Sequence, residues 1–299
     1  MHKDSDQREF DVIVWGATGF TGQLVVAYLA QTYGVEGPLR WAIAGRNRDK
    51  LDAVRKACLP EAVREKLPVL QADSGDAASL DRLARQARVL CTTVGPYAKY
   101  GTPLVAACVE AGTHYCDLTG EVQWMARVIP QYQRAAEASG ARIVHTCGFD
   151  SVPFDMGNWY LQQQMFARHG AYAQRVKARV GRNRGSASGG TIASILNMLE
   201  EATHDASVRR IMANPYALYP AGIRAGQDGP DQRGAKFDED FGQWTSPFTM
   251  AAINTRVVRR SNALLGFPWG EDFRYDEATL NRSRYEATRN SVAGAVGML

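Results

Sequence analysis

Short apolar runs alternate with amphipathic stretches along the first half of the chain. Phe10-Asp11-Val12-Ile13-Val14-Trp15 has the character of a buried strand, and Gly19 to Tyr33 follows with Leu24, Val25, Tyr28 and Leu29 at helical spacing. The pattern then repeats. Strands are predicted at Leu39–Ala44, Pro68–Ala72, Val89–Val94, Thr113–Cys116 and Arg142–Thr146, with helices at Arg48–Cys58, Ala77–Arg85, Pro103–Ala111 and Val122–Ser139 between them. Strands joined through helices are parallel, and their sheet carries helices on both faces. Six such strands predict a doubly wound dinucleotide-binding domain over residues 8–150.

The rhythm changes after Ser151. Phe154 to His169 reads as a helix, Gln174 to Val180 alternates like a strand, and Thr191 to Ala202 is again helical after a Gly/Ser-rich run from Gly185 to Gly190. Ala221 to Asp240 is rich in Gly, Pro and charge and is expected to be a long loop, a lid or a connector. Residues 151–299 are therefore expected to form a second, smaller α+β domain for substrate binding or dimerisation.

Composition narrows the class. With 45% hydrophobic and 22% charged residues, the 299-residue chain has ordinary globular usage, which excludes wholesale disorder. A net charge of +4 gives no reason to expect nucleic acid as a partner. Five cysteines without a Cys-x-x-Cys pair are expected to be buried, reduced thiols of a cytoplasmic protein, with no metal site. The polar opening MHKDSDQREF is unlike a signal peptide, and no run of 18 apolar residues is present to span a membrane. Ser291 to Leu299 (SVAGAVGML) reads either as a docked terminal helix or as the cut edge of a longer protein, and leaves peripheral membrane contact open.

The strongest chemical signal is Gly16-Ala17-Thr18-Gly19-Phe20-Thr21-Gly22, set between the first strand and its helix. Glycines there let backbone approach a diphosphate, and the helix N-terminus offers free N–H groups. The second strand ends in Gly45-Arg46-Asn47 without the acid that would accept a ribose hydroxyl. Arg46 is suited to a 2′-phosphate, so NADP(H) is the expected cofactor. Asp73 and Ser74 either meet the adenosine or, with Asp76, cap the next helix. Val94-Gly95-Pro96-Tyr97 closes the fourth strand on the ligand-binding edge, where Gly95 admits the nicotinamide ribose and Tyr97 either reaches the reacting carbonyl or packs. Tyr97 is the candidate catalytic residue. Tyr115, Asp117, Glu121, Cys147 and Asp150 are further candidates for which capping, anchoring or packing roles also stand, and His114 and His145 read as core histidines. Gly189-Gly190-Thr191 is either a donor cluster for a substrate carbonyl or a plain helix entry. Arg179, Arg182, Arg184, Arg256, Arg259 and Arg260 read as solvated faces, the first three alternatively as a channel for an acidic carrier arm.

GATGFTG, IAGRN, TTVGPYAKYGTPLVAACVEAGTHYCDLTGE and CGFDSVPFDMG together resemble the saccharopine dehydrogenase-like family, in its branch of trans-acting enoyl reductases. The resemblance is dense from about residue 10 to 160 and thins to SGGTIAS. It implies a Rossmann domain binding NADP(H) through Gly16, Gly19, Gly22 and Arg46, with Val94 to Tyr97 beside the nicotinamide. It also implies a mixed-sheet second domain, and relatives that carry a further distal segment. The implied reaction is reduction of a C=C bond in an enoyl or polyketide-type lipid, free or carrier-bound; C–N chemistry of the saccharopine type and a non-catalytic NADP-binding or membrane-associated scaffold are the alternatives. A homodimer is compatible with either.

Overall fold

The computed structural model describes residues 8–149, 151–181 and 189–296. Asp150, Arg182, Arg184 and the end of the terminal apolar stretch lie outside the described residues. In chain order the first elements are β1 (Phe10–Trp15), α1 (Phe20–Tyr33), β2 (Trp41–Gly45), α2 (Arg48–Cys58), α3 (Glu61–Arg64) and β3 (Val69–Gln71). Then come α4 (Ala77–Gln86), β4 (Ala87–Thr92), α5 (Tyr97–Ala111), β5 (His114–Asp117), α6 (Val122–Ser139) and β6 (Ile143–Val144). After these follow α7 (Val152–His169), β7 (Arg175–Val180), α8 (Gly189–His204), α9 (Ala206–Ala213) and β8 (Lys236–Asp238). The last are β9 (Gln243–Pro247), α10 (Ala251–Leu264), β10 (Arg274–Asn281) and α11 (Arg284–Val296).

The chain divides into two compact units. One holds the described residues of Met1–Thr119, Arg127–Cys147 and Ala187–Ser194; the other holds those of Gly120–Ala126, Gly148–Ser186 and Ile195–Leu299. The first is built on a parallel sheet in the order β3-β2-β1-β4-β5-β6, the doubly wound arrangement expected from the sequence. Its strand order reverses between β1 and β4, which opens a crevice at their carboxyl ends. On one face Val14, Trp41 and Ile43 are buried with Ala17, Val26 and Leu29 of the turn and α1, and with Leu51 and Val54 of α2. Alternate positions Ile13, Leu90 and Tyr115, in register across β1, β4 and β5, are buried on the other face.

Element ends differ from the sequence reading in one informative place. The helix expected to open at Pro103 begins six residues earlier, at Tyr97, and carries Pro103 inside it. A proline suits a first turn, which makes it look like a start. Here the helix absorbs it, so Tyr97 is a helix residue and β4 already ends at Thr92.

The second unit carries a mixed sheet, β7-β10-β9-β8, in which β7 and β10 are parallel and the other pairs antiparallel. The segment expected to be one long loop contains β8. Its aspartates also overturn the reading of the arginines as solvated. Arg179 pairs with Asp238 and Asp276, Arg259 with Asp228, and Arg256 with Asp231. Arg256 and Arg259 are buried, and Arg260 donates to the Leu218 carbonyl. Ion pairing, rather than apolar periodicity, fixes this stretch. Helix α7 is inverted in polarity: Asn158 and Gln162 are buried while Met156, Trp159 and Tyr160 are exposed. Ser291 begins the last turns of α11, so the described part of the terminal apolar stretch is helical. No helix among the described residues is long and apolar enough to cross a membrane.

All five thiols are free, but only Cys108 is buried as expected. Cys58, Cys91 and Cys116 are partly exposed and Cys147 is exposed. The reason for Cys91 and Cys116 lies in the sheet. Along the row Val14, Cys91, Cys116 and Val144, in register on one face, burial falls from complete at β1 to half-exposure at β6.

Candidate functional site

The Gly-rich turn is made by three glycines with different duties. Gly16 has φ +88°, and a Cβ there would stand 2.5 Å from Val94 Cγ2 and 2.9 Å from Thr93 Oγ1. A Cβ on Gly22 would stand 2.2 Å from the Gly16 carbonyl oxygen. Both positions are demanded by the chain's own packing. Gly19 is not: its nearest contact would be the Gly16 oxygen at 3.4 Å, and it is exposed. The fold itself leaves the backbone at Gly19 bare and open to solvent.

Gly19 is also the N-cap of α1, where no side chain caps the first turn and no acid occupies it. The next helices from the same sheet are closed by side chains. Asn47 accepts from Lys50 N at the start of α2, and Asp76 from Ala78 N at the start of α4. The N–H groups opening α1 are left to an external acceptor, favoured further by the helix dipole. A cleft of about 290 Å³ opens there, lined by Gly16, Thr18, Gly19, Phe20, Thr21, Gly45, Arg46, Ser74, Val94 and Gly95 among others. Ala17 and Gly22 lie behind it, buried in the turn.

Arg46 follows β2 and is exposed on this cleft. Its backbone carbonyl accepts from Gln71 Nε2, and its guanidinium has no ion pair among the described residues. Neighbouring Arg48 and Arg55, by contrast, pair with Asp52. Of the residues expected beside the adenosine, Ser74 lines the cleft. Asp73 turns back to accept from Gly75 N, and Asn47 spends its oxygen on the α2 cap. Asp76 supplies the cap of α4, which frees Ser74 from that duty.

Thr93, unremarked in the sequence, ties the crevice together: its N–H donates to the Trp15 carbonyl and its hydroxyl to the Gly16 carbonyl at 3.1 Å. A hydroxyl at a strand end opposite the glycine turn was the available signal. Val94 and Gly95 line the cleft, Pro96 caps α5, and Tyr97 is buried. The Tyr97 hydroxyl donates to the Thr92 carbonyl at 3.2 Å and accepts from Leu118 N at 3.4 Å, so it braces two loops from behind. The phenol on the cleft is Tyr100, three residues further along the same helix. Gly190, at the start of α8, lines the cleft as well.

The carboxyl ends of β5 and β6 hold a buried anchor. Asp117 accepts from the Tyr115 hydroxyl at 2.9 Å, from Thr119 N at 3.1 Å and from Thr146 N at 3.0 Å, and meets His145 Nδ1 at 2.7 Å. Burial and the adjacent carboxylate push the Tyr115 phenol well above its ordinary range, so it stays protonated as the donor. His114 Nδ1 accepts from Arg142 N. Glu121 is buried, its carbonyl receiving the first turn of α6.

A doubly wound sheet with an open glycine turn, and with a guanidinium at the end of β2 that has no ion pair among the described residues, has the architecture of a dinucleotide-binding domain. Residues 12–144 match the saccharopine dehydrogenase NADP binding domain. The chain is 43% identical over 293 residues to Rv2449c of Mycobacterium tuberculosis (strain ATCC 25618 / H37Rv), covering 96% of this chain and 69% of that protein. It is 37% identical over 306 residues to the trans-acting enoyl reductase of Mycobacterium leprae (strain TN), covering 98% of this chain and 72% of that one. It belongs to the saccharopine dehydrogenase-like family of oxidoreductases, in the branch of the trans-acting enoyl reductases. Among solved structures, apo saccharopine dehydrogenase (L-Glu forming) from Saccharomyces cerevisiae aligns over 57% of this chain and 34% of that one, at 16% identity and a TM-score of 0.45. So loose a likeness carries no argument, and the fold is read from the sheet itself.

Proposed function

We propose that the protein is an NADP(H)-dependent oxidoreductase that reduces the C=C bond of an enoyl, polyketide-type lipid substrate presented in trans on a carrier. The observation that carries the cofactor half is the unpaired Arg46 guanidinium on the same cleft as the uncapped α1 turn. The residues fit the coenzyme. Gly16, Gly19 and the first N–H groups of α1 would hold the diphosphate, Arg46 the 2′-phosphate and Ser74 the adenosine side, while Val94 and Gly95 would flank the nicotinamide end. When bound, the nicotinamide supplies a hydride for the β-carbon of the enoyl thioester.

What this chain must add is placement and a proton. Thr93 and Gly16 keep the crevice floor rigid, so that charge developing on the thioester oxygen meets fixed rather than mobile dipoles. Tyr100 is the phenol on the cleft and Tyr97 the brace beneath it. Phe20, 70% exposed at the cleft mouth, offers an apolar wall for an acyl chain. The paired state of Arg179, Arg256 and Arg259 favours the enoyl reading over C–N chemistry on amino and keto acids, which needs cations free for several carboxylates.

The test is a pair of measurements. NADPH should bind more tightly than NADH, and Arg46→Ala should weaken NADPH by about 10- to 100-fold, the loss of one or two charge-assisted hydrogen bonds at an exposed site, while leaving NADH within about threefold. Turnover should appear with enoyl thioesters and not with keto acid plus amine. Equal affinity for both coenzymes, unchanged in the variant, would refute the cofactor assignment.

A further inference from the structure

Cys91 of β4 and Cys116 of β5 are register partners on adjacent parallel strands. Side chains of such partners leave the sheet on the same face. The strands run about 4.8 Å apart, inside the roughly 4.4–6.8 Å Cα separation that disulfides use. The two thiols are close enough for each to shift the other's titration, and both are partly exposed, in the stretch of the row where burial is falling. No group of three His, Cys, Asp or Glu side chains among the described residues could hold a metal ion. A pair of neighbouring, accessible thiols without a metal is a dithiol.

We propose that Cys91 and Cys116 form a dithiol modification site, closed to a disulfide by hydroperoxides and bridged by trivalent arsenicals. Cys91 is the attacking sulfur. The neighbouring Cys116 thiol holds the Cys91 thiol below its ordinary range, while Cys91 and burial push that of Cys116 up. In the first step the Cys91 thiolate attacks the terminal peroxide oxygen. An S–O bond forms, the O–O bond breaks, and the leaving oxygen takes a proton to depart as alcohol or water. In the second, the Cys116 sulfur displaces hydroxide from the Cys91 sulfenic acid and gives up its proton, so that water leaves and the S–S bond forms. The thiols lose two electrons and the peroxide gains them. Because side chains on parallel neighbours stay nearly as far apart as their strands, the bridge closes under strain and is easily reduced. Cys147 is exposed nearby, but burial and the neighbouring Asp117 and Cys91 charges push its thiol up to about 11, which keeps it protonated and slow.

Reduced full-length protein is treated with a small excess of hydrogen peroxide, quenched with N-ethylmaleimide and digested for mass spectrometry. A Cys91–Cys116 cross-link, 2 Da lighter than its reduced components, should form in most molecules and disappear with dithiothreitol. Cys91→Ser and Cys116→Ser should each abolish it, and Cys147→Ser should leave it intact. Independently, one equivalent of phenylarsine oxide should protect both Cys91 and Cys116 from alkylation at once, a readout that requires no disulfide geometry. Over-oxidation of Cys91 without a link, a link through Cys147 or between molecules, or arsenical protection of neither thiol would overturn the proposal.

Discussion

The three glycines of the opening turn are predicted to fail in three different ways when each is given a methyl group. Gly22→Ala places a Cβ 2.2 Å from the Gly16 carbonyl oxygen, about 1 Å inside contact, and the obstacle is backbone that cannot rotate away. The helix must move off the turn, at the roughly 1–3 kcal/mol or more of overpacking. Gly16→Ala adds a left-handed penalty at φ +88° to its collision with Val94 and Thr93, for about 2–4 kcal/mol together. Gly19→Ala meets nothing closer than 3.4 Å and loses only the modest N-cap preference of glycine over alanine, so its stability cost stays at about 1 kcal/mol or less. Its methyl instead stands where a diphosphate would approach, and losing one charge-assisted hydrogen bond raises the NADPH Kd by about 10- to 100-fold. Circular-dichroism melts and NADPH fluorescence titrations separate the outcomes: Tm falls by several degrees in the first two variants and barely in the third, while affinity falls in all three. If Gly19→Ala melted as early as Gly22→Ala and still bound NADPH normally, the division of labour would be wrong.

Other residues make equally direct predictions. Tyr97→Phe leaves a buried carbonyl and N–H without their hydroxyl partner and should cost about 1–3 kcal/mol, with NADPH affinity within threefold of wild type, whereas Tyr100→Phe should preserve Tm and lower enoyl turnover; the opposite pattern would make Tyr97 the functional phenol. Glu277 of β10 is buried between Asn254 and the Tyr275 hydroxyl, and burial pushes its carboxyl up from an ordinary 4.5 to about 7. A raised carboxyl favours the protonated native form, so stability is full below pH 4.5, falls by about 3 kcal/mol as pH rises to 7, and is flat above. Chemical denaturation across that range should show the decline in the wild-type protein and not in Glu277→Gln.

Much of the first unit was legible because its helices bury one face and its central strands bury both. Apolar runs such as Phe10–Trp15 and Trp41–Ala44 announce strands sealed on both sides, and the glycines announce the turn between them. The sequence left a choice open where position, not composition, decides. Tyr97 and Tyr100 lie three residues apart in one sentence of sequence, yet the first faces inward and the second faces the cleft, because the helix begins at Tyr97 rather than at Pro103. The cysteines were misread for a related cause: Cys91 sits in the apolar run Val89-Leu90-Cys91, but its row loses cover toward β6.

The second unit resisted for a deeper reason. Its order rests on charges that a periodicity search discards. Asp228, Asp231 and Asp238, scattered through a Gly- and Pro-rich stretch, neutralise Arg259, Arg256 and Arg179, and each of these arginines also donates an N–H to a carbonyl, those of Pro215, Met212 and Ala178. Removing one partner of a buried pair strands the other, at several times the cost of an exposed ion pair. The same logic runs through α7, where Asn158 and Gln162 face inward and Gln162 clasps both the N–H and the carbonyl of Ala173. A helix that buries its amides and exposes Met156, Trp159 and Tyr160 cannot be oriented by hydrophobicity. Its inward face is fixed by hydrogen bonding at Gln162, whose amide finds both partners, while the equally buried Asn158 amide has none among the described residues.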